Sequence, residues 1–245
     1  DIVSPDIENR LSRLWNNCNR LLNLEALLEA TKTIAKVIDF RSRFTALHSS
    51  GVASVAEALA QKCNWKKEEC VKIKIAGYLH DLGKLAIPSS ILEKNGKLNT
   101  EEYNRMKAHT YYSFYLLEKI EAFREINEYA SLHHERLDGK GYPFNYDSDT
   151  LKEGSKIMAV ADVFTAITED RPYRKGMKKD KVLEVMKKMT ESNGLDSQLV
   201  DMLLSNFDEI NSIRTMAQQQ AFIEYQSFSK QISNIEKYYY NENNK

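Results

Sequence analysis

The chain of 245 residues is poor in cysteine, in net charge and in long apolar runs. Its three cysteines show no zinc-ligand spacing and are too few for a disulfide framework, so a reducing, cytoplasmic setting is expected. Lys and Arg total 35, as do Asp and Glu, and this balance disfavours a protein that wraps nucleic acid. No apolar run approaches the roughly 20 residues of a membrane span, so none is expected.

Proline and glycine are also scarce, especially towards the two ends of the chain. Pro5 is the one proline among the first 50 residues, and neither residue type follows Gly194. Both ends are therefore expected to be helical. A long amphipathic N-terminal helix is predicted, either packed on its own domain or acting as a linker or dimerisation helix. Its apolar stripe comprises Ile7, Leu11, Leu14, Cys18, Leu21 and Leu28.

Helical periodicity without strand alternation predicts an all-α architecture. The expected organisation is an N-terminal helix at 1–40, a catalytic domain at 41–210 and a helical C-terminal extension at 211–245. Because the chain begins at Asp1 rather than methionine, it is expected to be a piece of a longer polypeptide with an upstream sensor domain. The helices predicted after the N-terminal one are 52–62, 68–81, 99–120, 124–136, 155–170, 180–190, 196–207 and 211–240.

Two doublets, His80-Asp81 and His133-His134, each lie near the end of a predicted helix. Neighbouring helical residues diverge by about 100°, so a doublet can embrace one metal ion or reach two adjacent ones. Imidazole nitrogen and carboxylate oxygen without thiolate suit iron, manganese, nickel or zinc better than calcium or magnesium. The doublets therefore predict a metal site with mixed nitrogen and oxygen ligands.

Asp162 is the one charged residue of the apolar segment 157–168. A buried carboxylate needs a cation or strong hydrogen bonds, so Asp162 is expected to meet either a metal ion or an arginine. A lone His48 or His109 is more often a core residue than a ligand. Five histidines and two aspartates together, however, suffice for two metal ions that share Asp81. This pattern predicts metal-assisted phosphoester hydrolysis.

A set of motifs from His48 to Arg174 covers a little over half of the chain. They are His80-Asp81-Leu82-Gly83-Lys84, His109, the run His133-His134-Glu135-Arg136-Leu137-Asp138-Gly139-Lys140-Gly141-Tyr142-Pro143, Ala161-Asp162 and Arg171-Pro172-Tyr173-Arg174. These motifs resemble the HD-GYP subgroup of the HD-domain metal-dependent phosphohydrolases. The resemblance implies a helical bundle around a buried dinuclear metal centre and hydrolysis of cyclic dinucleotides, chiefly cyclic di-GMP.

The resemblance also implies roles for individual residues. One metal ion would be held by His48, His80, Asp81 and Asp162, and the other by Asp81, His109, His133 and His134. Lys84 would contact the scissile phosphate, or else serve as a cation beside a helix end. Arg171 and Arg174 would bind phosphate and guanine, and Tyr142 would line the substrate pocket or lie in a plain surface loop.

Three positions depart from the family pattern. Phe44 replaces a glutamate that binds a third metal ion in some members, so two divalent ions are expected, iron or manganese first and nickel or zinc next. Thr110 and Thr165 replace a frequent proline and a frequent aspartate, and neither change removes an expected ligand.

The expected reaction is attack of activated water on a 3′–5′ phosphodiester of cyclic di-GMP, giving linear pGpG and, after a second cleavage, GMP. Two alternatives stay open: an HD phosphohydrolase acting on cyclic GMP-AMP or another nucleotide, and a non-catalytic cyclic-dinucleotide receptor. The expected partner is a small cyclic dinucleotide rather than a nucleic-acid polymer, with a homodimer through the N-terminal helix as a further option.

Overall fold

The computed structural model describes residues 24–41, 47–170 and 174–243, with side chains at 24–38, 47–170 and 174–231. Within these ranges the chain forms ten α-helices and no named strand, which confirms the all-α class. The helices are α1 (Leu24–Arg41), α2 (His48–Lys62), α3 (Lys67–Leu79), α4 (Ser89–Leu92), α5 (Thr100–Glu118), α6 (Arg124–Ser131), α7 (Glu153–Thr168), α8 (Lys179–Glu191), α9 (Ser197–Ser205) and α10 (Phe207–Asn243), with 3₁₀ helices at Leu82–Ala86 and Glu121–Phe123.

The start of α5 follows from a local sequence signal. The Asn99 side chain accepts a hydrogen bond from the Glu102 amide, and the Glu102 carboxylate accepts one from the Asn99 amide, both at 2.8 Å. This reciprocal capping box satisfies two amides that would lack partners within the helix. The predicted helix start at Asn99 is therefore confirmed.

The predicted position of the C-terminal end of helix 124–136 is wrong, because the helix ends earlier. α6 ends at Ser131, and Leu132 has φ −101° and ψ 12°, outside the helical range. The following turn is held by a hydrogen bond from the Glu135 amide to the Leu132 carbonyl. His133 and His134 therefore lie in a turn after the helix rather than inside it.

The core is built around α2, which packs against α3, α7 and α10. α2 and α3 approach so closely that a Cβ added at Gly77 would lie 2.4 Å from the Ala53 Cα. Most apolar side chains of α7 are buried, and those of Ile157 and Phe164 are fully buried. Burial of each such side chain stabilises the fold by about 1.5–3 kcal/mol. This packing brings His48 of α2, His80 directly after α3 and Asp162 of α7 towards one point in the core.

Helix α10 runs without a break through residues 210 and 211, where the sequence predicted a domain boundary. Ile210 is fully buried, and Gln218, well inside the predicted extension, is 8% exposed. The first turns of α10 thus pack with the helical core, while the three-part division of the chain stays a prediction.

Three further points concern the N-terminal apolar stripe, the cysteines and membrane-spanning helices. Most of the N-terminal amphipathic stripe, including Cys18, lies outside the described residues. Cys70 is buried, whereas Cys63 is only half-buried. None of the described helices combines the length and the apolar character needed to cross a membrane.

Candidate metal centre

The structure brings together all seven side chains that the sequence analysis singled out as ligands. They come from five parts of the fold: the start of α2, the two residues directly after α3, the middle of α5, the turn after α6 and the interior of α7. Six of the seven residues are at least nine-tenths buried, and the side chain of His134 is 31% exposed. The seven residues are His48, His80, Asp81, His109, His133, His134 and Asp162.

One part of the cluster, called here the His48 half, consists of His48, His80 and Asp162. The His48 Nε2 lies 2.9 Å from the Asp162 Oδ1, and the His80 Nε2 lies 4.0 Å from the same oxygen. The three ligand atoms all lie within 4.8 Å of one another, close enough to share one metal ion.

The other part, the His109 half, consists of His109, His133 and His134, whose ligand atoms also lie within 4.8 Å of one another. Asp81 faces both halves. Its Oδ1 lies 3.4 Å from the His109 Nε2, and its Oδ2 lies 3.3 Å from the His80 Nε2. A carboxylate with one oxygen towards each half can bridge two cations.

Backbone contacts fix the tautomers of three histidines. In each, Nδ1 donates a hydrogen bond to the carbonyl three residues earlier, so Nε2 carries the lone pair. In His109 and His133 this Nε2 is buried and has no hydrogen-bond partner among the described residues. A buried unpaired acceptor costs about 1–3 kcal/mol, and a metal ion would remove that cost. The bonds are His80 to Gly77 at 2.7 Å, His109 to Met106 at 2.7 Å and His133 to Ala130 at 2.6 Å.

The protonation states of the His109 half also fit a cation. Burial lowers the pKa of His109 to about 3 and the pKa of His133 and His134 below their usual value. Although burial opposes it, His80 and Lys84 hold the pKa of Asp81 well below its ordinary value. Neutral imidazoles beside an ionised carboxylate are the states that metal binding requires.

His48 differs in its charge from the three histidines of the His109 half. Burial alone would lower its pKa, but the carboxylates of Glu169 and Asp162 raise that pKa to about 10. Despite its burial, Asp162 keeps a pKa well below its usual value because of the histidines, His48 above all. Among the described residues Asp162 therefore meets histidines rather than an arginine. A metal ion at the His48 Nε2 must displace a proton.

The 3₁₀ helix after Asp81 is pressed against α5 at Gly83. A Cβ at this position would lie 1.9 Å from the His109 carbonyl oxygen, so only glycine fits. The Gly83 amide donates to the Ser113 hydroxyl at 2.8 Å, and that hydroxyl donates to the His80 carbonyl at 3.0 Å. The same 3₁₀ helix places the Lys84 Nζ 2.6 Å from the Asp81 Oδ2, at the cluster.

Glu135 holds the loop that carries Tyr142. Its carboxylate is buried and accepts the amides of Phe144 at 2.6 Å and Tyr146 at 3.1 Å. A Cβ at Gly141 would lie 2.4 Å from the Glu135 Cα, so this glycine is needed for the close approach. The Tyr142 ring lies 4.9 Å from the His134 ring, measured between centroids. The loop therefore places an aromatic ring beside the half-exposed edge of the cluster.

Of the predicted substrate cations, Lys84 lies at the cluster, whereas Arg174 contacts the backbone of α7. The Arg174 guanidinium donates to the Ala166 carbonyl of α7 at 2.6 Å. Arg171 and Phe44 lie outside the described residues. Of these three proposed substrate contacts, the described residues thus place Lys84 beside the cluster.

Sequence reasoning missed Glu169, whose carboxylate contacts the His48 Nδ1 at 3.2 Å. It also assigned no role to Ser113 or Glu135, although Glu135 lies within a motif. The one signal for Glu169 was an acidic residue directly after an apolar helix, a pattern also typical of a solvated helix end.

The fold and the cluster define a helical bundle with a buried histidine and aspartate site. Residues 15–199 match the HD domain, and the chain belongs to the HD-domain family. The family resemblance based on the motifs is confirmed.

Two curated relatives extend this comparison. The chain is 37% identical over 185 residues to the 3'3'-cGAMP-specific phosphodiesterase 1 of Vibrio cholerae serotype O1, a match that covers 76% of this chain and 43% of that protein. It is 34% identical over 187 residues to the cyclic di-GMP phosphodiesterase response regulator RpfG of Xanthomonas campestris pv. campestris, covering 76% and 49%. The chain thus spans less than half the length of either relative.

A solved structure shares the fold. The chain aligns with an HDG"Y"P protein from Bdellovibrio bacteriovorus at a TM-score of 0.56 and 16% identity, covering 76% of this chain and 65% of that one. At this identity the likeness concerns the fold alone.

Proposed function

We propose that this chain hydrolyses a 3′–5′ phosphodiester bond of a cyclic dinucleotide with the help of two divalent metal ions. The observation that carries the proposal is the position of Asp81, whose two oxygens face the two halves of one buried ligand cluster. Two adjacent cations lower the pKa of bound water and stabilise charge on a phosphoryl group. The names of the two curated relatives support the same class of substrate.

The ligand assignment follows the two halves. One ion is held by His48, His80 and Asp162, the other by the three histidines of the His109 half, and Asp81 is shared. Nitrogen and oxygen donors without sulfur favour iron or manganese, with nickel or zinc as the next candidates.

Lys84 and Tyr142 are proposed to contact the substrate. The Lys84 ammonium lies beside Asp81 at the cluster, where it can offset negative charge on the phosphoryl oxygens. Tyr142, half-buried next to His134, offers a ring face on which a base can stack. Arg171 and Arg174 remain proposed contacts for phosphate and guanine, and Arg174 would first have to release the Ala166 carbonyl.

We take cyclic di-GMP as the substrate and linear pGpG as the first product. The decisive experiment is an anaerobic preparation, metal analysis by mass spectrometry, and chromatography of products from cyclic di-GMP and cyclic GMP-AMP. We expect two metal ions per chain and a linear dinucleotide. Faster cleavage of cyclic GMP-AMP would change the substrate but keep the reaction. Two bound ions without any cleavage would make the chain a receptor and contradict hydrolysis.

Lys84→Ala tests the phosphate contact separately from metal binding. Since Lys84 is no ligand, the variant should keep both metal ions and hydrolyse on the order of 10²-fold more slowly, the effect typical of losing one charge-stabilising donor. Lys97→Ala, at an exposed lysine, is the control. An unchanged rate in Lys84→Ala would leave Lys84 with only a structural role.

A further inference from the structure

A chain of buried polar side chains connects α10 to the metal centre. The Gln218 Nε2 donates two hydrogen bonds, one to the Glu169 Oε2 at 3.0 Å and one to the Leu47 carbonyl at 3.2 Å. The same carboxylate faces the His48 ring, with Oε1 and Oε2 each 3.2 Å from Nδ1. Glu169 is thus held between a side chain of α10 and a proposed metal ligand.

Arg214, one turn before Gln218 on α10, completes this chain. Its guanidinium donates to the Gln218 Oε1, which leaves the Gln218 amide nitrogen directed at Glu169. Arg214, Gln218 and Glu169 are 6%, 8% and 5% exposed. Burial of such groups is costly unless they are hydrogen-bonded to one another, so their arrangement is well determined.

His48 needs such a partner more than the other histidines do. His80, His109 and His133 are each oriented by a backbone carbonyl three residues earlier. His48 is the first residue of α2, so no preceding turn of its own helix offers that carbonyl. Its ring is instead held by Glu169, which is 121 residues away in sequence.

We propose that Glu169 and Gln218 are positioning residues of the metal centre, which hold the His48 ring with Nε2 directed at the His48 half. This inference rests on the proposed two-metal centre. It makes α10 part of the support of that centre. Removing the partner that orients a histidine ligand typically weakens metal binding by about 10-fold to 100-fold.

The test is a calorimetric titration of the metal-free chain with Mn²⁺ for the wild type and the variants Glu169→Ala, Glu169→Gln and Gln218→Ala. We expect one of the two binding events to weaken by about 10-fold to 100-fold and the other to stay unchanged. Glu169→Gln keeps a side-chain oxygen that can accept from Nδ1, so its loss should be smaller. The matched control is Gln219→Ala, at an exposed glutamine of the same helix.

Selective loss at one site distinguishes positioning from general destabilisation, which would weaken both sites and lower the melting temperature of the metal-free chain. Two unchanged affinities in Glu169→Ala and Gln218→Ala would overturn the inference and leave the proposed function intact. Equal weakening of both sites in Glu169→Gln would also overturn it. A wild-type chain that binds no metal ion would instead overturn the proposed function, and the inference with it.

Discussion

The two halves of the cluster prepare similar ligands in different ways. In the His109 half, burial keeps the imidazoles neutral, and two Nε2 atoms meet no hydrogen-bond partner among the described residues. In the His48 half, the His48 imidazole lies between the carboxylates of Glu169 and Asp162, which raise its pKa to about 10. In the His109 half, nitrogen lone pairs are therefore available to a cation. In the His48 half, the protonated His48 is paired with the two carboxylates, and a cation would have to displace its proton. Metal binding should therefore differ between the halves.

The largest effect is expected when the residue common to both halves is removed. His80→Ala combined with Asp81→Ala should abolish hydrolysis and strip metal from the chain, because Asp81 faces both halves. Activity assays and metal analysis measure this. Glu101→Ala with Arg105→Ala, at an exposed ion pair of α5, is the control. Normal turnover in the His80 and Asp81 variant would refute the metal centre.

Single substitutions should separate the halves. His109→Ala removes a ligand of the His109 half, and His48→Ala removes one of the His48 half. We expect each variant to retain about one of two metal ions and to lose at least about 100-fold in hydrolysis, since in the proposed reaction both cations would act on one phosphoryl group. Mass spectrometry of the intact chain counts the ions. If either variant kept two tightly bound ions, its histidine would not be a ligand.

A change of pH should affect the metal affinity of the two halves unequally. With a pKa of about 10, His48 is protonated at neutral pH, so metal binding there must release a proton. Affinity at the His48 half should rise by up to about tenfold per pH unit and level off above pH 10. His109, with a pKa of about 3, is already unprotonated, so affinity there should change little between about pH 6 and 8.

Calorimetry in buffers of different ionisation enthalpy measures the number of protons released on binding. We expect about one proton for the event assigned to the His48 half, and this proton should disappear in His48→Ala. Equal proton release at both sites would remove the distinction drawn between the halves.

The smallest effect is expected from removing the Ser113 hydroxyl, which links α5 of the His109 half to the backbone of His80 in the His48 half. Ser113 of α5 bonds both the Gly83 amide and the His80 carbonyl, so Ser113→Ala should lower the free energy of unfolding by about 1–3 kcal/mol. Urea denaturation of the metal-free chain measures this change. Ser212→Ala, at an exposed position of α10, should have almost no effect. A cost in Ser113→Ala no larger than in that control would show that the contact is unimportant.

The candidate ligands could be predicted from sequence because their chemistry restricts residue type. A lone carboxylate in an apolar helix, such as Asp162, must find a partner, and all five histidines fall at ligand positions of the family that the motifs resemble. The capping box of Asn99 and Glu102 was also predictable, since its two members lie three residues apart.

Contacts between distant residues gave no such signal. Glu169 lies beside Asp170 at a helix end, where acidic residues are usually solvated, and its partner Gln218 is 49 residues away. The end of α6 was missed for a related reason. Segment 132–136 has no residue that stops a helix, and the turn is held by Glu135 through the amides of Phe144 and Tyr146.

The histidine orientations also carry information about the order of assembly during folding. The rings of His80, His109 and His133 are fixed by contacts that span three residues, so they are set once the local turn forms. The ring of His48 is fixed across 121 residues, and closing a loop of that size costs chain entropy that only the docked core repays. We therefore expect His48 to be the last of these four rings to reach its final orientation, after the C-terminal end of α7 and the first turns of α10 have docked.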